Sequence, residues 1–252
     1  MFYGMPRQET VARWGEESQE GFRFAFKFPR VITHELGLNR SRRETVTFLN
    51  LMEPLLERDR LGPLFLQMPP LFSPDQLSDM IHFLDRLPRD FPFGVEVRHR
   101  GWFDGETPAD TQEAKLNAAL KARGIDRVIF DSRPLFSRPP EDETERASQG
   151  RKPQVPFRDT VTGQHPMVRL VGRNKVEQVD PWLEMWADTL AAWMRDGLKP
   201  FIFLHAPNDL YAPDLARRFH ETLKRRQPDL EPLPLWPGEK ESREQPQQMS
   251  LF

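Results

Sequence analysis

Along this chain a short apolar run is followed by a turn, an amphipathic stretch and another apolar run, and the order repeats from about Gly21 to about residue 226. That is the pattern of βα units. Phe22–Phe28, Gly62–Gln67, Phe93–Arg98, Asp126–Asp131, Met167–Val171 and Lys199–His205 are predicted strands. Arg42–Arg58, Pro74–Leu87, Pro108–Arg123, Val176–Asp196 and Pro213–Arg226 are predicted helices, with a further short helix at Gln8–Glu17. Ser73-Pro74 and Asp180-Pro181 mark helix starts, an N-cap type before Pro at the first helical position. Helices crossing between apolar strands imply an α/β fold, a parallel sheet with helices outside it.

Two segments stand outside the alternation. Residues 132–165 join two strands with Pro-rich, charged sequence and no clear helix, too long for an ordinary turn, and read as a lid or mobile loop. Residues 227–252, rich in Pro, Glu and Gln without periodicity, read as a disordered tail on a domain spanning 1–226.

In such sheets function collects at the carboxyl ends of the strands, where the loops converge. Alternation places Arg23, Ala25 and Lys27 on one face, Gly94, Glu96 and Arg98 on one face, and Met167, Arg169 and Val171 on one face with Arg173 continuing it. Gln67, Asp131 and His205 end three other strands, and His34, His99, Trp102 and Asn208 follow strand ends. Cations outnumber carboxylates in this set. If they converge they suit an anion such as phosphate, bound by Lys27, Gln67, Arg98, His99, Arg169 and Arg173, with Glu96, Asp131 or His205 as catalytic candidates. Trp102 follows a strand in a loop, where an aromatic can stack on a sugar or base or simply pack. The plainer reading of Glu96 is an ion pair with Arg98 or Arg169 that closes the mouth of the barrel.

Trp182, Trp186 and Trp193 recur at helical spacing and are expected to pack a helix on the sheet, and His82 and His220 fall within predicted helices. Glu96, His99, Asp131 and His205 lie outside any local ligand motif, so a divalent metal cofactor is not favoured. No serine elbow, Walker loop or dinucleotide-binding glycine fingerprint occurs.

Composition narrows the setting. The absence of cysteine excludes disulfides, thiolate metal sites and a cysteine nucleophile. No segment resembles a signal peptide or a membrane span, and the expected location is the cytoplasm, without membrane association. A net charge of -2 argues against a general polyanion coat and confines any nucleic-acid contact to a local patch.

The stretches MFYGMP with ETVARW, FRFAFKFPRVITH, GPLFLQMPP, FGVEVRHRGWF, VIFDSRP and MVRLVGR occur here in one order, from Met1 to about residue 226. In these the chain resembles the YecE-like family, domain of unknown function 72. The resemblance implies a TIM-type (β/α)₈ barrel and supplies fold rather than function. Family members begin with a strand bearing a glycine- and tryptophan-containing segment, a helix, and a second strand ending in a TFY-like sequence, of which Met1-Phe2-Tyr3 matches only the end. The resemblance therefore predicts six complete strands plus a remnant, with either a start upstream of Met1, the favoured reading, or a chain that folds with a gap; Phe22–Phe28 and Lys199–His205 are expected to flank that gap and not to pair with each other.

The chain ends Gln248-Met249-Ser250-Leu251-Phe252, which resembles the motif that docks bacterial proteins on the replicative sliding clamp. A Gln amide hydrogen-bonds in a small polar pocket while Leu-Phe enters an apolar one, and Met249 replaces the commoner Leu at similar volume. The leading expectation is a clamp-tethered replication or repair factor that handles a nucleotide or DNA phosphate. A non-catalytic clamp-tethered binding module and a barrel enzyme acting on a small phosphorylated or sugar-like metabolite fit the same residues.

Overall fold

The computed structural model describes residues 4–103 and 111–235. Helix α1 (Gln8–Glu17) precedes β1 (Phe24–Lys27), and βα alternation then runs through α2 (Arg42–Glu57), β2 (Leu61–Gln67), α3 (Leu77–Leu84), β3 (Phe93–Glu96), α4 (Gln112–Lys121) and β4 (Asp126–Asp131). Two helices follow, α5 (Arg133–Phe136) and α6 (Glu143–Arg151), before β5 (Met167–Val171), α7 (Asp180–Arg195), β6 (Phe201–His205) and α8 (Ala212–Lys224). All six strands are parallel, and their order in the sheet is their order in the chain. Among the described residues no helix is long and apolar enough to cross a membrane.

The sheet curls into a half-barrel, and its alternation separates two apolar layers. Val168 and Leu170 of β5 pack outward against Leu183, Trp186, Leu215 and Phe219 of α7 and α8. Phe65, Val128 and Met167 point inward and meet Phe201 and Phe203 of β6. Curling brings the Phe201 ring against β2 at Gly62, where an added Cβ would sit 3.0 Å from it. A register shift between β1 and β2, with Phe24 opposite Leu61 but Phe26 opposite Leu64, places one extra residue in β2. Such a bulge resets which side chains face inward, so Gly62, Phe65 and Gln67 all reach the interior despite their spacing.

β1 and β6 end the sheet and do not pair with each other. Every residue of these two strands is half-buried, whereas every residue of β2 to β5 is buried. The predicted gap between Phe22–Phe28 and Lys199–His205 is where the sheet opens.

The segment 132–165 departs from expectation, because α5 and α6 lie within it. Helix α6, ETERASQGR, has no apolar stripe for a sequence pattern to reveal. It is held instead by polar contacts. Asp142 caps it by accepting the Glu145 N–H at 2.9 Å, and buried Glu145 accepts Arg173 Nη2 at 2.5 Å. Ser73 does open a helical turn, its N–H donating to Gln76 Oε1 at 3.1 Å. Asp180, by contrast, lies in the first turn of α7 behind a 3₁₀ turn at Val176–Val179, and its carboxylate receives Arg218. The first part of the predicted tail also lies against the body: Leu230 packs beneath α7 and α8, and Pro234 O accepts Arg217 Nη2 at 3.2 Å.

Candidate functional site

Inward-facing residues at or near the carboxyl ends of five strands converge: Lys27 on β1, Gln67 on β2, Glu96 on β3, Arg169 on β5 and His205 on β6. Glu96 is the hub. Its side chain is fully buried, and its two oxygens accept Arg98 Nε at 2.7 Å and Arg169 Nη1 at 2.5 Å. Gln67 Oε1 lies 3.4 Å from both Lys27 Nζ and Arg169 Nη1. The Arg169 guanidinium packs on the rings of Phe65 at 5.5 Å and Phe130 at 5.6 Å, and Arg98 shares the Phe130 ring. Cation–π contact and a shared carboxylate thus fix both guanidinium planes.

The charges perturb one another. Burial, then Arg169 and Arg98, push Lys27 down to about 8, so it is still mostly charged at neutral pH. Burial, then Arg169 and Lys152, push His205 down to about 4, so its imidazole is neutral. Among the described residues the buried His205 Nε2 has no hydrogen-bond partner. Burial alone would raise the Glu96 carboxyl, but Arg169 and Arg98 outweigh it and hold the group below the usual carboxylate range. Lys152, at the end of α6, joins the same field and is lowered by burial and then by Arg169 and Arg98. Its participation was missed in the sequence because it lies on no strand. The charged composition of 132–165, which reads as a lid, is the signal that points to it. Arg98 and Arg169 thus hold the Glu96 carboxylate, Lys27 joins them through Gln67, and Lys152 lies in their field, so among the described residues this cluster carries an excess of positive charge beside a neutral imidazole.

Other expected members lie elsewhere. Asp131 shares the outward parity of Ile129, and its oxygens are filled by the Arg133 N–H at 3.0 Å, Arg133 Nε at 2.9 Å, Arg133 Nη2 at 2.8 Å and Trp186 Nε1 at 2.9 Å. It ties α5 and α7 to β4. Arg173 is fully buried and points back into the 132–165 segment, donating to Arg138 O at 3.1 Å, Pro139 O at 3.0 Å and Glu145. Trp102 is fully buried, with its indole N–H on Phe72 O at 2.8 Å and its ring stacked on Phe72, so neither face can take a ligand. His99 Nδ1 accepts the Gly101 N–H at 3.1 Å and shapes the loop after β3. His34, after β1, does feel Lys27 and Arg98; burial, Arg30 and these two lower its pKa. Among the described residues no three His, Asp or Glu side chains gather to hold a metal. Gln248, Met249, Ser250, Leu251 and Phe252 lie outside the described residues.

Comparison with known proteins places this geometry in a family. The chain matches the family model "Protein of unknown function DUF72" over residues 1–240. It is 38% identical over 251 residues to the UPF0759 protein YecE of Escherichia coli K12, covering 99% of this chain and 86% of that protein. Identity is 37% over the same coverage to the YecE of Escherichia coli O157:H7. The crystal structure of a DUF72 family protein from Thermotoga maritima superposes with a TM-score of 0.62 at 20% identity, covering 89% of this chain and 82% of that one, a likeness of fold. The half-barrel and the chain that builds it belong to the DUF72 family, the YecE-like proteins.

Proposed function

We propose that the protein binds a phosphate-bearing ligand at the carboxyl end of its half-barrel. The observation that carries this reading is the excess of cations in one cluster: Arg98 and Arg169 share the Glu96 carboxylate, Lys27 and Arg169 share the Gln67 amide oxygen, and Lys152 lies in their field. Preset guanidiniums match phosphate oxygens in pairs, whereas ammonium groups act as point charges. Glu96 is a positioning residue here: both its oxygens are engaged, one by Arg98 and the other by Arg169. In an enzyme, the group that meets the reacting part of the ligand is His205, whose neutral Nε2 lacks a partner among the described residues and is open to a hydrogen bond from or to the ligand. A purely binding role uses the same cations without it. The two separate in one variant: His205→Gln retains phosphate affinity in both cases but abolishes turnover only in an enzyme.

The C-terminal Gln248-Met249-Ser250-Leu251-Phe252 supports a second element of the proposal, tethering to the replicative sliding clamp in the cytoplasm at replicating or repaired DNA. Titration calorimetry tests both elements. Inorganic phosphate should bind the full chain and lose affinity in Arg169→Gln; purified clamp should bind saturably and lose binding when residues 248–252 are removed. Phosphate binding without clamp binding favours an enzyme or binder for a small phosphorylated metabolite, with no link to DNA.

A further inference from the structure

We infer that the trough between the loops following β1 and β2 receives the nucleoside of a mononucleotide whose phosphate rests on the cation cluster. This rests on the phosphate reading above and specifies its substrate class.

The trough encloses about 360 Å³, within the range of ~300–1,000 Å³ typical of small-molecule sites. His34, Leu36 and Asn39 contribute to one wall, and Met68, Leu71 and Asp79 to the other. Its walls are the chain segments that leave Lys27 and Gln67, whose side chains lie 3.4 Å apart at the edge of the cluster. His34 links the two regions, because it lines the trough and lies in the field of Lys27 and Arg98. Met68, which lines the trough, directly follows Gln67 in the chain, so the trough begins one residue from the cluster.

The lining selects what fills that cavity. Leu36 and Leu71 line the trough from different loops and remain in water, Leu71 at 87% exposure. Two leucines sharing one opening differ from the singly scattered apolar residues of an ordinary surface. They can close over the faces of a flat ring. The Asn39 amide and the Asp79 carboxylate also line the trough, and neither makes a hydrogen bond or ion pair among the described residues. An amide offers donors and an acceptor, and a carboxylate accepts from hydroxyl or amino groups, which suits a base edge or a ribose diol. A lipid tail would leave both polar groups unsatisfied, and a bare sugar phosphate would leave the leucines in water.

Calorimetry of the full chain with inorganic phosphate and with adenosine 5′-monophosphate tests the assignment. The nucleotide should bind on the order of tenfold more tightly than phosphate, a difference of about 1.4 kcal/mol. Replacing both exposed leucines, Leu36→Ser with Leu71→Ser, should bring the nucleotide to within about threefold of phosphate and leave phosphate affinity unchanged. Equal affinities in the unmodified chain, or a preference that survives the double substitution, would overturn the trough assignment while the phosphate reading stands. Binding of neither ligand would overturn both.

Discussion

Replacing Glu96 with Gln distinguishes a carboxylate that gathers two arginines from one that merely fills space. Glu96 is fully buried, with Arg98 on one oxygen at 2.7 Å and Arg169 on the other at 2.5 Å. Glutamine preserves the shape and one acceptor, but it turns an N–H toward a guanidinium and removes the negative charge. Each charge-assisted hydrogen bond contributes about 1.5–3 kcal/mol, and taking one partner from a buried ion pair costs about 3–5 kcal/mol. Urea unfolding in chloride buffer should therefore show E96Q about 3–5 kcal/mol less stable than the unmodified chain.

Phosphate should narrow that difference. With the internal counter-charge gone, the same cations bind an external anion more tightly, and a ligand at a hundred times its Kd stabilises by about 2.7 kcal/mol. The unmodified chain, whose arginines are already partly neutralised, should gain less from the same phosphate concentration. A stability loss under about 1 kcal/mol, or a loss unaltered by saturating phosphate, would refute the reasoning. The first result would mean that the guanidiniums are held by Phe65 and Phe130 alone, the second that phosphate does not reach them.

Phosphate affinity should fall by about tenfold between pH 7 and 9, as Lys27, pushed down to about 8, loses its proton and its charge-assisted bond; K27M should flatten that part of a calorimetric pH profile. Asp126, at the opposite end of the half-barrel, is pushed up to about 7 by burial, with one compensating bond from the His165 N–H at 3.0 Å. Because its folded pKa lies above its unfolded value of 3.8, its stabilising contribution is complete below about pH 4 and is lost as pH rises through about 7. Asp126→Asn should therefore be up to about 4 kcal/mol more stable than the unmodified chain at pH 8 and lose most of that advantage near pH 4, measured by denaturant unfolding at both pH values. Glu145→Gln strands the buried Arg173 and should cost about 3–5 kcal/mol, accelerate hydrogen exchange across Glu143–Arg151 and weaken phosphate binding by displacing Lys152. Unchanged exchange in that helix would detach Lys152 from the Arg173 anchor.

Alternation along single strands is enough to bring together much of the candidate cluster. Gly94 and Glu96, and Met167 and Arg169, share inward faces because β3 and β5 are regular and fully buried, so a period of two survives from sequence to structure. The same rule, applied to Asp131, assigns it the outward face of Ile129, toward Trp186; its position at a strand end was the misleading cue. Arg173 was misplaced for a different reason. It lies beyond Gly172, where the strand has ended and parity no longer governs direction. Lys152 carries no periodic signal, because α6 is held by Asp142, Glu145 and Arg173 rather than by an apolar face. In β2 the extra residue changes the phase of the alternation, which the run GPLFLQ does not disclose by itself.

The most direct test of the account is the position of a bound tetrahedral anion. Tungstate, an anomalous-scattering analogue of phosphate, soaked into crystals of the full chain should occupy a site within hydrogen-bonding reach of Arg169, Lys27 and Lys152, and R169Q should empty it. Tungstate bound only elsewhere, with the Arg98, Glu96 and Arg169 cluster unaltered, would contradict the account and leave that cluster as an internal brace for the mouth of the half-barrel.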